Sequence, residues 1–191
     1  MLLRRRARRA LGVVARAQGA LIFGEGAPGF SADPHPGNVM VLDDGRLALI
    51  DYGCHCSYDP AERRILVDLY AALDESNKPE IVRTVKAMGY ESDTFDEELM
   101  VAFATQCFDR DIVDDGSPYA YLVGLEKTDR VRRIPRKFML TCRVALLLRG
   151  LGARIGCGRL SMARLWRHEV RRARRNIRRG GDAAGSVGQV Q

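Results

Sequence analysis

An α+β fold, mostly helical with one short β-hairpin near its start, is what this chain of 191 residues predicts, and three observations carry it. The apolar fraction of 46% is enough for one good core. Most of the apolar residues recur at helical spacing behind recognisable caps. Only two short runs read as strands: Val39-Met40-Val41-Leu42 and Leu47-Ala48-Leu49-Ile50, joined by Asp43-Asp44-Gly45-Arg46, whose Asp-Gly pair signals a hairpin.

In chain order, residues 2–23 come first, where Leu11, Val14, Ala17 and Leu21 share a helical face; the same Arg-rich, acid-poor start also fits an organellar targeting segment, although it lacks Ser enrichment. After the hairpin, Asp59-Pro60-Ala61-Glu62 supplies a cap, a Pro at the first helical position and a Glu three residues past the cap, so a helix is expected to about Leu73 with Ile65, Leu66, Leu69 and Leu73 buried. A second helix is expected from Pro79 to Gly89, and a third from near Asp93 carrying Leu99, Phe103 and Cys107 inward. Asp109 to Gly124 reads as a polar connection. A helix from Pro135, with Phe138, Cys142, Ala145, Leu146 and Leu148, is apolar almost all round and so central. Met162, Ala163, Trp166, Val170, Ala173 and Ile177 then line one side of an Arg-rich helix. The expected division is a basic helix or targeting segment over 1–23, a body over 24–158, a basic amphipathic helix over 159–179 and a disordered tail over 180–191.

The net charge of +7 is unevenly placed: residues 1–16 hold six Arg and no acid, residues 159–179 hold nine Arg and one Glu, and the stretch between is acidic. Basic ends favour an anionic surface such as phospholipid, or are simply solvated helix faces. Trp166 accordingly either anchors its helix on the body or meets a membrane surface. Nucleic acid is not expected as a partner, because no aromatic-interleaved platform or reading motif is present. Five Cys without a paired framework point to a reducing compartment. No apolar run reaches the roughly 18 residues a membrane span needs. Cys54-His55-Cys56 tempts as a metal cluster, but no second Cys/His pair follows it at zinc-site spacing.

Asp33-Pro34-His35-Pro36-Gly37-Asn38, followed thirteen residues after Asn38 by Asp51-Tyr52-Gly53, carries the chemistry. Phosphoryl transfer needs little covalent work and much positioning: one carboxylate to orient the attacking hydroxyl or water, and an amide with a second carboxylate to hold Mg²⁺ on the phosphates. Asp33, Asn38 and Asp51 fit those roles in that order, Asp33 as the catalytic residue and Asn38 and Asp51 as metal and nucleotide ligands. The hairpin would set Asn38 beside Asp51, since antiparallel strands end at one edge. His35 either braces the loop or touches a phosphate.

The string Ala32-Asp33-Pro34-His35-Pro36-Gly37-Asn38, with Ile50-Asp51-Tyr52-Gly53, resembles the catalytic and metal-binding loops of the UbiB (aarF-domain, ADCK-type) atypical kinases. The likeness runs more weakly from the Asp59-Pro60 helix to Trp166. It implies a protein-kinase-like C-terminal lobe, ATP and Mg²⁺ as cofactors, and a place in isoprenoid-quinone (ubiquinone or plastoquinone) metabolism. Nucleotide, an anionic membrane surface and quinone-pathway proteins are the partners it suggests, and mitochondrion or plastid the location. Two departures stand out. Ser31 occupies the position, two before the catalytic Asp, where the family usually has His. No Gly- or Ala-rich nucleotide loop, strand Lys with a helical Glu partner, or Lys-x-Gly-Gln motif is found, so the expectation is a second lobe inactive alone, or a non-catalytic lobe that binds membrane or protein.

Overall fold

The computed structural model describes residues 2–112 and 118–186. Helix α1 (Leu2–Phe23) leads into β1 (Phe30–Ser31), a 3-10 turn (Pro36–Asn38), β2 (Val39–Val41), β3 (Leu47–Leu49) and β4 (His55–Cys56). Then follow α2 (Pro60–Glu75), α3 (Lys78–Ala87), β5 (Glu91–Ser92), α4 (Glu97–Ala104), a π-helical turn (Thr105–Asp109), α5 (Pro118–Thr128), β6 (Val131–Arg133), α6 (Arg136–Arg154), α7 (Met162–Leu165) and α8 (Arg167–Ser186). The strands form three separate antiparallel pairs, β1 with β4, β2 with β3 and β5 with β6. The fold is thus α+β and mostly helical, as the periodicity predicts.

Helix α2 starts where the sequence says. Asp59 accepts from Glu62 N at 2.8 Å and the Glu62 side chain accepts from Asp59 N at 3.0 Å, a complete capping box with Pro60 in the first turn. Its stripe of Leu66, Leu69, Tyr70 and Leu73 is buried against α3 and α8. Asn77 caps α3, and Gly89 ends the segment at a φ of +89°, which an L side chain rarely adopts.

Trp166 is the pivot of the helical body. It is fully buried, donates from Nε1 to the Ala15 carbonyl at 2.7 Å, and meets Phe23 and Tyr70 edge-on with ring centroids 5.6 and 5.2 Å away. Gly19 on α1 lets the indole in: a Cβ there would lie 2.6 Å from its Cδ1. The Trp therefore packs its segment onto α1 and α2. Arg167 adds a two-bonded ion pair to Asp74 at 2.6 and 2.7 Å, and Arg174 pairs with Glu75 at 3.3 Å.

Several expectations need correction. On α1 the buried face is Leu11, Val14, Ala15, Gln18 and Ile22, while Ala17 and Leu21 are only half-buried, because the close approach of Trp166 at Gly19 rotates the contact. The third helix starts at Glu97 under the Asp96 cap, which puts Met100 inside and leaves Leu99 half-buried; Asp93 instead pairs with Arg132. Within the expected connection from Asp109 to Gly124, α5 begins at Pro118, favoured at a helix start, and packs Leu122 on the core; residues 113–117 lie outside those described. Arg149, which follows the apolar run of α6, is itself buried and donates to the Gln106 carbonyl at 2.7 Å and Asp111 at 3.1 Å.

The basic helix expected over 159–179 is two helices. Ser161 caps the short α7, and the buried Asp109 carboxylate of the π turn accepts from Ser161 Oγ at 2.6 Å and Ala163 N at 2.9 Å, pinning that start. At the far end α8 continues through residues expected to be disordered, as far as Ser186, where Ala183 and Ala184 are strong helix formers; 187–191 lie outside the described residues.

Candidate functional site

Two ladders frame the Asp33 loop. In the first, Phe30 of β1 stands opposite Cys56 of β4 and Ser31 opposite His55, and Ala32 N donates to Cys54 O at 2.7 Å, carrying the pairing one step further. The chain therefore leaves at Asp33 and returns at Gly53 side by side. In the second, Val39 of β2 stands opposite Leu49 of β3, and Ile50 N donates to Asn38 O at 3.1 Å. Asn38 and Asp51 thus flank the open end of the hairpin, on the side where the first ladder holds Asp33. Pro34 and Pro36 keep the intervening loop out of a long helix; only one 3-10 turn forms, with Pro36 at its start.

Each side chain is set by a local bond. Asn38 is buried, and its Nδ2 donates to the Asp33 carbonyl at 3.0 Å. That bond orients the amide and leaves Oδ1, which has no protein donor among the described residues, as the free oxygen. Asp51 is exposed, and one oxygen accepts from Gly53 N at 2.7 Å, fixing the carboxylate over its own turn. His35 accepts at Nδ1 from Gly37 N at 3.0 Å and so caps the 3-10 turn. A Cβ on Gly37 would lie 2.7 Å from the His35 ring, so glycine is needed for that approach. Ser31, in the place of the expected His, is buried and accepts from Asp33 N at 3.4 Å, a long bond that braces the same backbone.

Asp33 has a partner that the motif does not announce. Arg143 of α6 reaches its carboxylate at 3.1 Å, with the two side chains 53% and 28% exposed. At that exposure the attraction is modest, but it fixes the carboxylate's direction. The same helix is tied to the end of β4: Tyr58 donates to Lys137 O at 2.7 Å and shares a bond of 2.6 Å with Thr141 Oγ, and burial drives its phenol well above the usual range. Phe30, Tyr58 and Phe138 stack at 5.7 Å spacings beneath the loop. Sequence reasoning missed Arg143; the signal that could have found it is that it is the one charged residue between Phe138 and Leu148.

Cys54, His55 and Cys56 do not converge. His55 and Cys56 point to opposite faces of β4, His55 Nε2 lies 3.1 Å from Pro28 O, and burial raises the Cys56 thiol. Among the described residues no three His, Cys, Asp or Glu side chains form a metal cage. The amide of Asn38 with the carboxylate of Asp51 is instead the sparse oxygen set that suits Mg²⁺ when phosphate and water complete the shell. What the arrangement can do is hold a cation between the hairpin's ends and present Asp33 to a hydroxyl or water beside it.

Comparison with known proteins bears directly on this region. The ABC1 atypical kinase-like domain matches residues 13–85. A Synechocystis protein described as uncharacterized is 52% identical over 44 residues, 23% of this chain and 11% of its own length. A second such Synechocystis protein is 28% identical over 132 residues, 64% of this chain and 22% of its own. ACTIVITY OF BC1 COMPLEX KINASE 1, chloroplastic, of Arabidopsis thaliana is 30% identical over 61 residues, 32% of this chain and 9% of its own. The chain therefore spans only a small part of the length of the curated relatives it matches. The matched residues contain the whole Asp33 loop, the hairpin and the capped start of α2, so the likeness to the ABC1 atypical kinase-like domain falls on the candidate site itself.

Proposed function

We propose that Asp33, Asn38 and Asp51 form the nucleophile-orienting and metal-holding part of an ATP- and Mg²⁺-dependent phosphotransfer or ATPase site of the UbiB type. The observation that carries this is the register of the two ladders, which sets Asn38 next to the turn of Asp51 and Asp33 at the mouth of the same loop. Mg²⁺, when bound, would neutralise charge on the transferring phosphates. Asn38 Oδ1 and the Asp51 carboxylate are the groups that would hold it, and among the described residues each has an oxygen free of other protein bonds. Asp33 orients the attacking hydroxyl and accepts its proton, with Arg143 fixing the direction of the carboxylate. His35 stays in the cofactor-binding set through Nε2, which has no protein partner among the described residues.

The name of the Arabidopsis relative speaks of a kinase and a chloroplast. Carried to this chain, it supports a plastid setting, with mitochondrion the other possibility from the family, and a role in isoprenoid-quinone metabolism alongside that pathway's proteins. No described helix is long and apolar enough to cross a membrane. With a nucleotide-covering first lobe supplied, steady-state ATP hydrolysis tests the roles: Asp33→Asn should lower kcat with little change in KM for Mg-ATP, and Asp51→Asn should abolish Mg²⁺-dependent nucleotide use. Equal loss of binding in both would count against the assignment.

A second reading, a non-catalytic kinase-like lobe on an anionic membrane or a protein partner, is favoured by one specific feature. Helices α1 and α8 are in contact, and Arg4, Arg5, Arg6, Arg9 and Arg16 of one, with Arg171, Arg172, Arg175, Arg178 and Arg179 of the other, are exposed with no ion-pair partner among the described residues. Flotation with anionic but not zwitterionic vesicles, without ATP turnover, is the result this reading predicts.

A further inference from the structure

A cleft of about 440 Å³ opens where the end of α1, the start of α2 and the middle of α8 meet, apart from the Asp33 loop. Its walls are apolar: Phe23, Pro60, Ala61, Ala173 and Ile177. Phe23 cannot swing away to fill it, since its ring is fully buried and held edge-on by Tyr70 at 5.1 Å and Trp166 at 5.6 Å. The size is that of small-molecule sites, which run from roughly 300 to 1,000 Å³ and combine apolar walls with a few polar groups.

The polar groups have a sign. Arg63 and Arg64 line the cleft beside Asn176, against one carboxylate, Glu25. Two arginines close by have carboxylate partners, Arg167 in Asp74 and Arg174 in Glu75. Arg63 has none: Nη2 donates to Tyr58 O at 3.2 Å, but among the described residues its buried Nε finds no acceptor and no carboxylate pairs with it. Arg64 is exposed and likewise lacks an ion-pair partner among the described residues. A buried guanidinium N–H without an acceptor is unfavourable unless something supplies one.

We infer that this cleft binds an amphipathic anion, an alkyl chain lying along Phe23, Ala61, Ala173 and Ile177 with its oxyanion head on Arg63 and Arg64. Neither half of the site explains the other alone: apolar walls without the guanidinium pair would take any hydrocarbon, and the pair without the walls would take any small anion. Binding here is independent of the phosphotransfer reading, because none of the lining residues belongs to the Asp33 loop or the hairpin.

The chain carries a single Trp, and it sits one ring behind the cleft wall. Titration of the purified protein with dodecyl phosphate below its micelle concentration, followed by Trp166 emission and by calorimetry, should give saturable binding. Inorganic phosphate and dodecyltrimethylammonium should give none. Ala61→Leu, which fills the cleft, and Arg64→Glu, which reverses the head-group charge, should each weaken dodecyl phosphate at least tenfold; both positions are exposed, and unchanged far-UV circular dichroism verifies that the variants fold. Absence of heat and emission change, equal binding of the cationic amphiphile, binding of phosphate alone, or undiminished affinity in either variant would each overturn the inference.

Discussion

Truncating Trp166 to Ala is the sharpest test of how the helical body is held together. The side chain is fully buried, so the substitution removes all of its contacts at once and leaves a cavity between α1, α2 and α8. Phe/Trp→Ala changes in cores cost about 3–5 kcal/mol. The Ala15 carbonyl, which accepts from Nε1 at 2.7 Å, loses its side-chain donor, and unmade buried bonds cost about 1–3 kcal/mol. Phe23 and Tyr70 lose edge contacts worth roughly 0.5–1.5 kcal/mol each beyond area. These terms overlap, so we expect a loss of about 4–6 kcal/mol, a large share of the roughly 5–15 kcal/mol that a domain possesses. Trp166→Phe keeps a ring and should cost about half as much. Urea unfolding followed by far-UV circular dichroism gives both values. A variant Trp166→Ala with an unchanged midpoint and weakened binding to anionic vesicles would refute the packed-helix account and move the indole to a membrane surface.

Four further outcomes follow from the same contacts. Tyr58→Phe removes bonds to Lys137 O and Thr141 Oγ and should lower stability by about 1–3 kcal/mol in urea unfolding, because the buried Thr141 hydroxyl is left without its partner. Gly37→Ala should loosen the Asp33 loop through its clash with the His35 ring, and adding His35→Ala should recover part of the loss, read as amide exchange over residues 33–38. Arg143→Ala should cost only about 0.2–1 kcal/mol, with the effect shrinking in high salt, since the Asp33 pair is half-exposed. Asn38→Ala should cost about 1–3 kcal/mol by orphaning a partly buried carbonyl, whereas Asp51→Ala, at an exposed position, should be nearly neutral to folding.

Much of this was readable from local signals. The capping box at Asp59 and Glu62, the Asp43 to Arg46 turn and the loop string from Asp33 to Asn38 each satisfy their bonds within a few residues, so the sequence carries them whole. What escaped depends on partners far along the chain. Arg143 meets Asp33 across 110 residues, and Arg149 is drawn inside by Gln106 and Asp111, contacts that no periodicity encodes. On α1 the buried face holds Leu11 and Val14 as expected but then passes through Ala15, Gln18 and Ile22 instead of Ala17 and Leu21, beside Gly19, which admits an indole from residue 166. The π turn at Thr105–Asp109 likewise shifts the helical phase that single-period reading assumes. From Gly180 the low-complexity composition suggested disorder, whereas α8 extends to Ser186 through residues that include helix-forming alanines.

The central claim, that Asn38 and Asp51 hold a divalent cation while Asp33 only orients the nucleophile, is tested most directly by Mn²⁺-ATP added to isotopically labelled protein. Paramagnetic broadening reports even weak binding, so it does not depend on tight nucleotide affinity. The account predicts that amides at the two ends of the hairpin, around residues 38 and 51, broaden first; that Asp51→Asn abolishes the effect; and that Asp33→Asn leaves it intact. Broadening centred elsewhere, or lost equally in both variants, would contradict it.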